Sequence, residues 1–314
     1  MGSSLLTNSS AMTALQTLRN VSTQLATTQN RISTGQRVST ASDNAAYWSI
    51  ATSMRSDNAA LSAVSDSLGL SAATVDTEYT ALTSVIGDSS SGLTKLQALL
   101  VEAKTAGIDR TKIQADITQI QQDMKLKAGS ATFNGINWLS IDTSTSSTAT
   151  PTSFNLVSSY SRVGGTPTIG SITVTTANYA LYTTGGATKT GILDTVVGTG
   201  STAAAIDTIS ISALTDSATD QTTLNSYITQ VTTAINSVAS AAANLGAVKN
   251  RIATNTEFVK TLMDSVDRGV GQLVDADMNA ESTRLQALQT QQQLGVQALS
   301  IANQNSQSIL TLFR

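Results

Sequence analysis

Three short patterns in the sequence contain residue types that can bind nucleotides, calcium or phosphate. In the first, Gly198, Gly200 and Ala203 fit the G-x-G-x-x-A fingerprint of dinucleotide-binding sites. That fingerprint requires a strand before it and an amphipathic helix after it, and no helical periodicity begins here. We therefore interpret this pattern as a turn between strands.

The second pattern, DADMNAE, begins like a calcium-binding loop, with Asp275, Asp277 and Asn279 at alternate positions. Ala280 stands where the loop needs glycine, and Gln286 stands where it needs a bidentate glutamate. The run is better explained as acidic residues at the start of a helix, where their negative charge interacts favourably with the helix dipole.

The third pattern, GGATKT at residues 185–190, lacks the spacing of a phosphate loop. The sequence predicts neither a metal nor a cofactor.

Catalysis is also not expected. The chain has no histidine and no cysteine, which removes disulfides, thiolate nucleophiles and most transition-metal sites. Asp109, Asp116 and Asp123 recur every seven residues, a spacing typical of a solvated helix face. A net charge of −3 gives no attraction to nucleic acid, and no apolar run predicts insertion into a membrane.

Heptad repeats predict the helices that organise the chain. In the second half, apolar residues recur every seven positions over eight repeats, which predicts a coiled-coil-like helix of roughly 60 to 70 Å. This stripe is Leu224, Val231, Val238, Leu245, Ile252, Val259, Val266 and Leu273, with Tyr227, Ala234, Ala241, Val248 and Leu262 beside it. The matching first-half stripe is Tyr47, Met54, Leu61, Leu68, Val75 and Leu82, with Ile50, Val64 and Val85. A further helix is predicted at residues 109–127, and GDSSSG at residues 87–92 predicts a break.

The middle of the chain, residues 140–216, has a different pattern. It is rich in Thr, Ser and Gly and contains both prolines. The short alternating runs SITVTT, GILDTVV and IDTISIS predict strands, and therefore a small β-rich insertion. The helical halves on either side must then pair with each other, because neither can bury its own apolar stripe.

The two ends of the chain form a second helical pair with almost no charge. Residues 1–42 contain three arginines and no acidic residue, and Leu285 to Phe313 is 29 residues without an ionisable side chain. One predicted stripe of the last helix contains Leu285, Leu288, Gln292, Leu299, Ala302 and Ile309, while Leu294 and Ile301 lie on other faces. A helix with leucine on several faces needs more than one neighbour.

The termini resemble those of bacterial flagellins. RISTGQRVSTASDNAAYWSIATSMRSDN at residues 31–58 is similar to the N-terminal signature of that family. NLGAVKNRI at residues 244–252 and the final 40 residues from DADMNAE are similar to its C-terminal signature. The segment DNAAYWSIA and the short middle region of the chain look most like those of flagellins from rhizobial soil bacteria.

The resemblance implies a mainly α fold: long antiparallel coiled-coil-like helices from both chain ends and a small inserted β-rich outer domain. It divides the chain into inner-core helices at residues 1–42 and 268–314, the two halves of a helical domain at 43–140 and 219–267, and an outer domain at 141–218. It also implies a structural subunit, not an enzyme, that polymerises into the flagellar filament for swimming.

The implied partners are copies of the chain itself, other flagellins, the flagellar cap and hook-junction proteins, an export chaperone and the type III export apparatus. The implied location is extracellular. The predicted assembly residues are Arg31, Asp43, Asn44, Arg268, Asp275, Leu285, Gln292, Leu299 and Ile309. A hook-filament junction protein and a secreted coiled-coil adhesin remain as alternatives.

Overall fold

The computed structural model describes residues 8–143, 150–163, 166–185, 188–198 and 200–312, and for residues 163, 201 and 305–312 it describes the backbone alone. The α-helices in the described part are α1 (Ser9–Thr34), α2 (Ala45–Ile86), α3 (Gly92–Glu102), α4 (Arg110–Ser130), α5 (Ala218–Val274) and α6 (Met278–Leu312). The strands there are β1 (Ser140–Asp142), β2 (Ser153–Val163), β3 (Thr166–Thr175) and β4 (Tyr182–Thr184). The predicted class, mainly α with a small strand-containing middle, is confirmed.

The chain forms two compact units. The terminal unit consists of Met1–Ala59 and Met263–Arg314, and the central unit consists of Ala60–Leu262. The predicted boundary at residue 268 falls inside α5, which passes through Gly269 and Gly271 without interruption. At 57 residues α5 is about 85 Å long, longer than the heptads predict, because it begins before the first repeat.

The core of the central unit follows the predicted heptads. Leu68, Val75 and Leu82 of α2 and Leu224, Val231 and Val238 of α5 are fully buried. The helices run antiparallel, since Asp76 forms an ion pair with Lys249 and the ring of Tyr79 lies against Gly246. Regular burial along both helices confirms the coiled-coil-like pairing.

The predicted break in the first helix lies between α2 and α3. Gly87 and Gly92 both adopt positive φ, at 68° and 67°. A side chain at Gly92 would lie 2.4 Å from the Val85 carbonyl oxygen, so the turn requires glycine there. The predicted third helix is α4, which buries Ile113, Ile117 and Met124.

Two residues of the predicted first-half stripe are not buried. Tyr47 and Ile50, in the first two turns of α2, are 41% and 49% exposed. In the terminal unit the buried cluster consists instead of Val38, Ala51, Val270 and Val274. A Cβ atom at Gly269 would lie 3.0 Å from the terminal methyl group of Met54, and so close an approach of the helices favours the small Ala51 over a large side chain. The prediction for Tyr47 and Ile50 was therefore wrong.

The middle of the chain contains two separate two-stranded sheets. β2 and β3 form an antiparallel hairpin, and β1 pairs in parallel with β4. The prediction for SITVTT is confirmed, because that run forms the end of β3. Trp138 stacks on Phe154 with ring centroids 5.8 Å apart, just before β1 begins.

The other two predicted strands are absent. In GILDTVV, the Asp194 carboxylate accepts hydrogen bonds from the backbone N–H groups of Thr183 and Gly191, which folds the run into a turn. In IDTISIS, residues Ile206–Thr208 form a 3-10 helix. There the side chains of Gln114 and Gln121 on α4 bond the backbone groups of Ile206, Ile209 and Ile211 that a neighbouring strand would use.

The candidate ligand patterns have structural explanations. Val197 and Ala204 form an isolated bridge that flanks Gly198 and Gly200, but neither residue belongs to one of the described strands, so the prediction of a turn between strands is wrong in this respect. The Asp277 carboxylate accepts hydrogen bonds from the N–H groups of Asn279 and Ala280 and so caps α6. Lys189 of the third pattern donates to the Thr183 carbonyl oxygen.

Among the described helices, none has the length and hydropathy that crossing a membrane requires.

Candidate functional site

The candidate site is the pair formed by α1 and α6 in the terminal unit. The pair is antiparallel and is held at both ends. Asn8 accepts a hydrogen bond from the Ala11 N–H and donates one to the Ala302 carbonyl oxygen at 2.9 Å. Near the other end, the Arg31 guanidinium lies 3.0 Å from the Glu281 carboxylate.

Few side chains are buried between these two helices. Val21 and Thr28 are buried on α1, and Glu281 and Leu288 are buried among the described side chains of α6. Between the ends, Gly295 permits a close approach, since a side chain there would meet Leu18 at 3.2 Å. So small a core stabilises a two-helix pair only weakly.

Large apolar side chains remain exposed on both helices. Met12 and Leu15 on α1 and Leu294, Val296 and Ile301 on α6 project into solvent, with Ile301 65% exposed. No acidic or basic residue is present in α6 after Arg284. A surface with so few charges and this many exposed apolar side chains is typical of a protein–protein interface.

The connections beside this helix pair are bound to each other by backbone hydrogen bonds. The Arg37 and Val38 N–H groups donate to the Val274 carbonyl oxygen, and the Ala276 N–H donates to the Gly35 carbonyl oxygen. Gln36 and Asp275 form the resulting bridge. We call residues 35–38 and 274–276 the linker clasp.

Several predicted assembly residues lie at or near the linker clasp. The Asp43 carboxylate accepts bonds from the Ser39 and Thr40 N–H groups, which hold the pKa of Asp43 below its ordinary value. Asn44 caps α2 through the Ala46 and Tyr47 N–H groups. Arg268 donates to Ser265, three residues earlier in α5.

The predicted residues on α6 differ in exposure. Leu285 and Leu299 are half-buried, whereas Gln292 is exposed. The side chain of Ile309 lies outside the described residues. The structure thus brings Arg31 to α6 and includes Asp275 in the linker clasp. Asp43 stabilises the turn before α2, and Asn44 caps α2.

Sequence reasoning did not identify Glu281 as the partner of Arg31. Glu281 is the last acidic residue of the chain, and residues 1–42 carry arginines without an acid. The positive charge near the N-terminus and this acidic residue near the C-terminus were the sequence features that could have indicated the ion pair. The exposed Met12, Leu15 and Val296 were also missed, because a heptad stripe selects only the residues on one face.

Comparison with known proteins assigns the family. Residues 5–143 match the bacterial flagellin N-terminal helical region, and residues 228–313 match the bacterial flagellin C-terminal helical region. The chain is 45% identical to flagellin C of Rhizobium meliloti strain 1021, with 99% of each chain covered. The chain belongs to the bacterial flagellin family.

Other flagellins are similar over nearly their whole length. The flagellin of Brucella melitensis biotype 1 is 45% identical, with 99% of each chain covered. Flagellin A of Rhizobium meliloti is 38% identical, with 99% of this chain and 100% of the relative covered. This flagellin is a structural subunit that polymerises into the bacterial flagellar filament for swimming, as the resemblance of its termini implied.

Reversing the charge of Arg31 should weaken assembly of this flagellin. Arg31→Glu would place two carboxylates together where Glu281 is only 11% exposed. We expect a cost of about 2 kcal/mol, between the values for exposed and buried ion pairs. This corresponds to a roughly 30-fold higher critical concentration for filament growth, measured by sedimentation.

Two further variants make this prediction specific. The charge-swapped chain carrying Arg31→Glu and Glu281→Arg should regain most of the lost assembly. Lys249→Glu, which breaks the exposed pair with Asp76 in the central unit, is the matched control and should change the critical concentration less than about fivefold. A charge-swapped chain no better than Arg31→Glu would contradict the assignment.

Proposed function

We propose that this flagellin assembles through α1 and α6, which pack against the same helices of neighbouring copies and line a central channel. The observation that carries this proposal is the exposure of Leu294 and Ile301, 57% and 65%, on a helix with no ionisable side chain from Leu285 to Leu312. Contact with neighbouring copies would remove these side chains from water. The absence of charge avoids the cost of placing like charges opposite each other in a homopolymer.

The glutamines of α6 suit the same arrangement. Between Leu285 and Phe313 the sequence contains eight glutamines. A glutamine amide both donates and accepts hydrogen bonds, so it can pair with an identical residue of a neighbouring copy or with water in a channel. We assign this role to Gln292, which is exposed on α6.

The proposed domain organisation follows from this role. Residues 1–42 and 268–314 form the inner core, residues 43–140 and 219–267 form the surrounding helical domain, and residues 141–218 form the outer domain. Leu285, Leu299 and Ile309 contact neighbouring copies. Arg31, Asp43, Asn44, Arg268 and Asp275 brace the region where the inner helices meet the helical domain.

The location and the other partners are proposed from family membership. The subunit leaves the cell through the type III export apparatus with the help of an export chaperone, and the filament is extracellular. At its ends the filament meets the flagellar cap and hook-junction proteins, and other flagellins co-assemble with it. The absence of cysteine, and therefore of disulfides, suits a chain that passes through a channel.

Limited proteolysis tests the proposed role of the ends. In the monomer, the described residues of α1 and α6 bury few side chains, so ordering each residue of these helices, at about 1 to 2 kcal/mol, is poorly offset. We expect a protease to remove both ends of the monomer first and to spare α2 and α5. In the filament the ends should be protected at least tenfold.

Electron microscopy of the same samples separates this proposal from its alternatives. Hollow filaments grown from the purified chain support the proposed role. A hook-junction protein or an adhesin would instead remain as discrete particles. Equal protection of the ends in monomer and filament would contradict assembly-dependent ordering of α1 and α6.

A further inference from the structure

A carboxyl group is buried in the central unit, where the middle of the chain joins the helices. Glu78 on α2 is completely buried. Its Oε1 atom accepts a hydrogen bond from the Trp138 backbone N–H at 2.9 Å. Its Oε2 atom is buried and has no partner among the described residues.

The segment that Glu78 holds anchors the strands. Trp138 is 1% exposed, and its ring stacks on Phe154 of the β2–β3 hairpin. The carbonyl oxygen of Leu139 accepts hydrogen bonds from the N–H groups of Leu181 and Tyr182, and β1 begins at the next residue. Glu78 therefore contacts the point at which both sheets connect to the helical part of the unit.

Among the residues that the structure describes, no charged group compensates the burial of Glu78. Burial raises the pKa of Glu78 to about 8, and the Trp138 N–H opposes this rise only in part. On α2, Asp76 pairs with Lys249 of α5 at the surface. Residues 128–141 contain no ionisable side chain. On β4, the pKa of Tyr182 is raised by burial and by Asp207 and Asp194, without a contribution from Glu78.

We propose that Glu78 is a proton-dependent latch: the neutral acid holds the Trp138 segment against α2, and the ionised carboxylate releases it. The charged form has one hydrogen bond and no counterion, so it gains more from contact with water than from staying buried. Opening at Trp138 would loosen the attachment of the β-containing middle. Attachment of this outer region thus depends on external pH.

The direction of this pH dependence follows from proton linkage. The pKa of Glu78 in the folded protein lies above its ordinary value of 4.5. The stabilising effect of the neutral acid is therefore complete below pH 4.5 and is lost as the pH rises towards about 8. Between these two pKa values the ratio of open to closed segment rises about tenfold per pH unit, and above about 8 it levels off because both forms are ionised.

Tryptophan fluorescence tests the latch directly. The chain has two tryptophans, so Trp48→Phe leaves Trp138 as the only reporter. Between pH 6 and 9.5 we expect the monomer to show a shift of Trp138 emission to longer wavelength, with a midpoint near pH 8. Glu78→Gln, added to this variant, should abolish the transition because the amide still accepts the Trp138 N–H but does not ionise. Glu102→Gln, at an exposed position, is the matched control and should leave the transition unchanged.

Hydrogen exchange in the unmodified chain provides a second test that requires no variant. The Trp138 amide donates to Glu78, so its protection should fall by at least tenfold between pH 6 and pH 8, after correction for the intrinsic rate. A constant or rising protection would overturn the proposal. So would a fluorescence transition that persists in Glu78→Gln.

Discussion

Replacing Leu294 and Ile301 together by aspartate is expected to abolish filament growth at concentrations where the unmodified chain polymerises. Both side chains are more than half exposed in the single chain and are proposed to be buried between copies. Burying two unpaired carboxylates costs several kcal/mol. A cost of only about 3 kcal/mol already raises the critical concentration more than 100-fold. Sedimentation of seeded reactions and electron microscopy of the pellets measure this effect.

The matched control is Leu126→Asp on α4. Leu126 is 71% exposed, more than either residue of the test pair, but it lies outside the terminal unit. We expect it to alter assembly little, so a general loss of solubility or folding can be recognised. Filaments of normal yield from the Leu294→Asp, Ile301→Asp chain would exclude this face from the contact between copies.

Leu68→Ala is expected to destabilise the central unit by about 2 to 5 kcal/mol, the usual range for a fully buried leucine. Leu68 lies at the centre of the α2 stripe with no exposed surface. Truncation removes apolar burial and leaves a cavity that the long helices can only partly close. Urea denaturation of the monomer, followed by circular dichroism, measures the change in free energy of unfolding.

Leu70→Ala is the control for Leu68→Ala. Leu70 is two residues further along the same helix and is 55% exposed. The same chemical change there should alter the free energy of unfolding by less than about 0.5 kcal/mol. Similar losses for the two variants would contradict the observed heptad register.

The heptad pattern predicts the helical architecture because burial in a pair of long helices repeats every seven residues. From Leu61 to Leu82 on α2, the predicted stripe is the buried one. The pattern fails at Tyr47 and Ile50, where the separation between helices, not residue type, decides which side chain fits. That separation depends on Gly269 and Ala51, which are distant in sequence, and a local repeat contains no information about it.

Two of the three strand predictions failed for a different reason. Apolar and polar residues alternate in GILDTVV and IDTISIS as they do in strands. This alternation does not show which groups will form hydrogen bonds with the backbone. Asp194 turns the first run back on itself, and Gln114 and Gln121 of α4 bond the second. Polar side chains from outside a segment can replace a neighbouring strand, so alternation alone overestimates strand content.

The candidate site was partly predictable. Uncharged termini with leucines on several faces predict a helix pair that lacks neighbours, and the exposed Leu294 and Ile301 agree with this. The ion pair of Arg31 with Glu281 was not predicted, because it joins residues 250 positions apart. Only the antiparallel register of α1 and α6 brings them together.

The pairing of α1 with α6 also determines when the terminal unit can form. Asn8 bonds Ala302, 294 residues later, so the first helix of the chain has its partner in the last. Doubling the length of such a loop costs only about 0.6 kcal/mol, but contacts this distant in sequence form slowly. A ribosome, or any pore that the chain leaves end first, must release nearly every residue before α1 finds α6. The terminal unit is therefore the last part of the molecule to become complete.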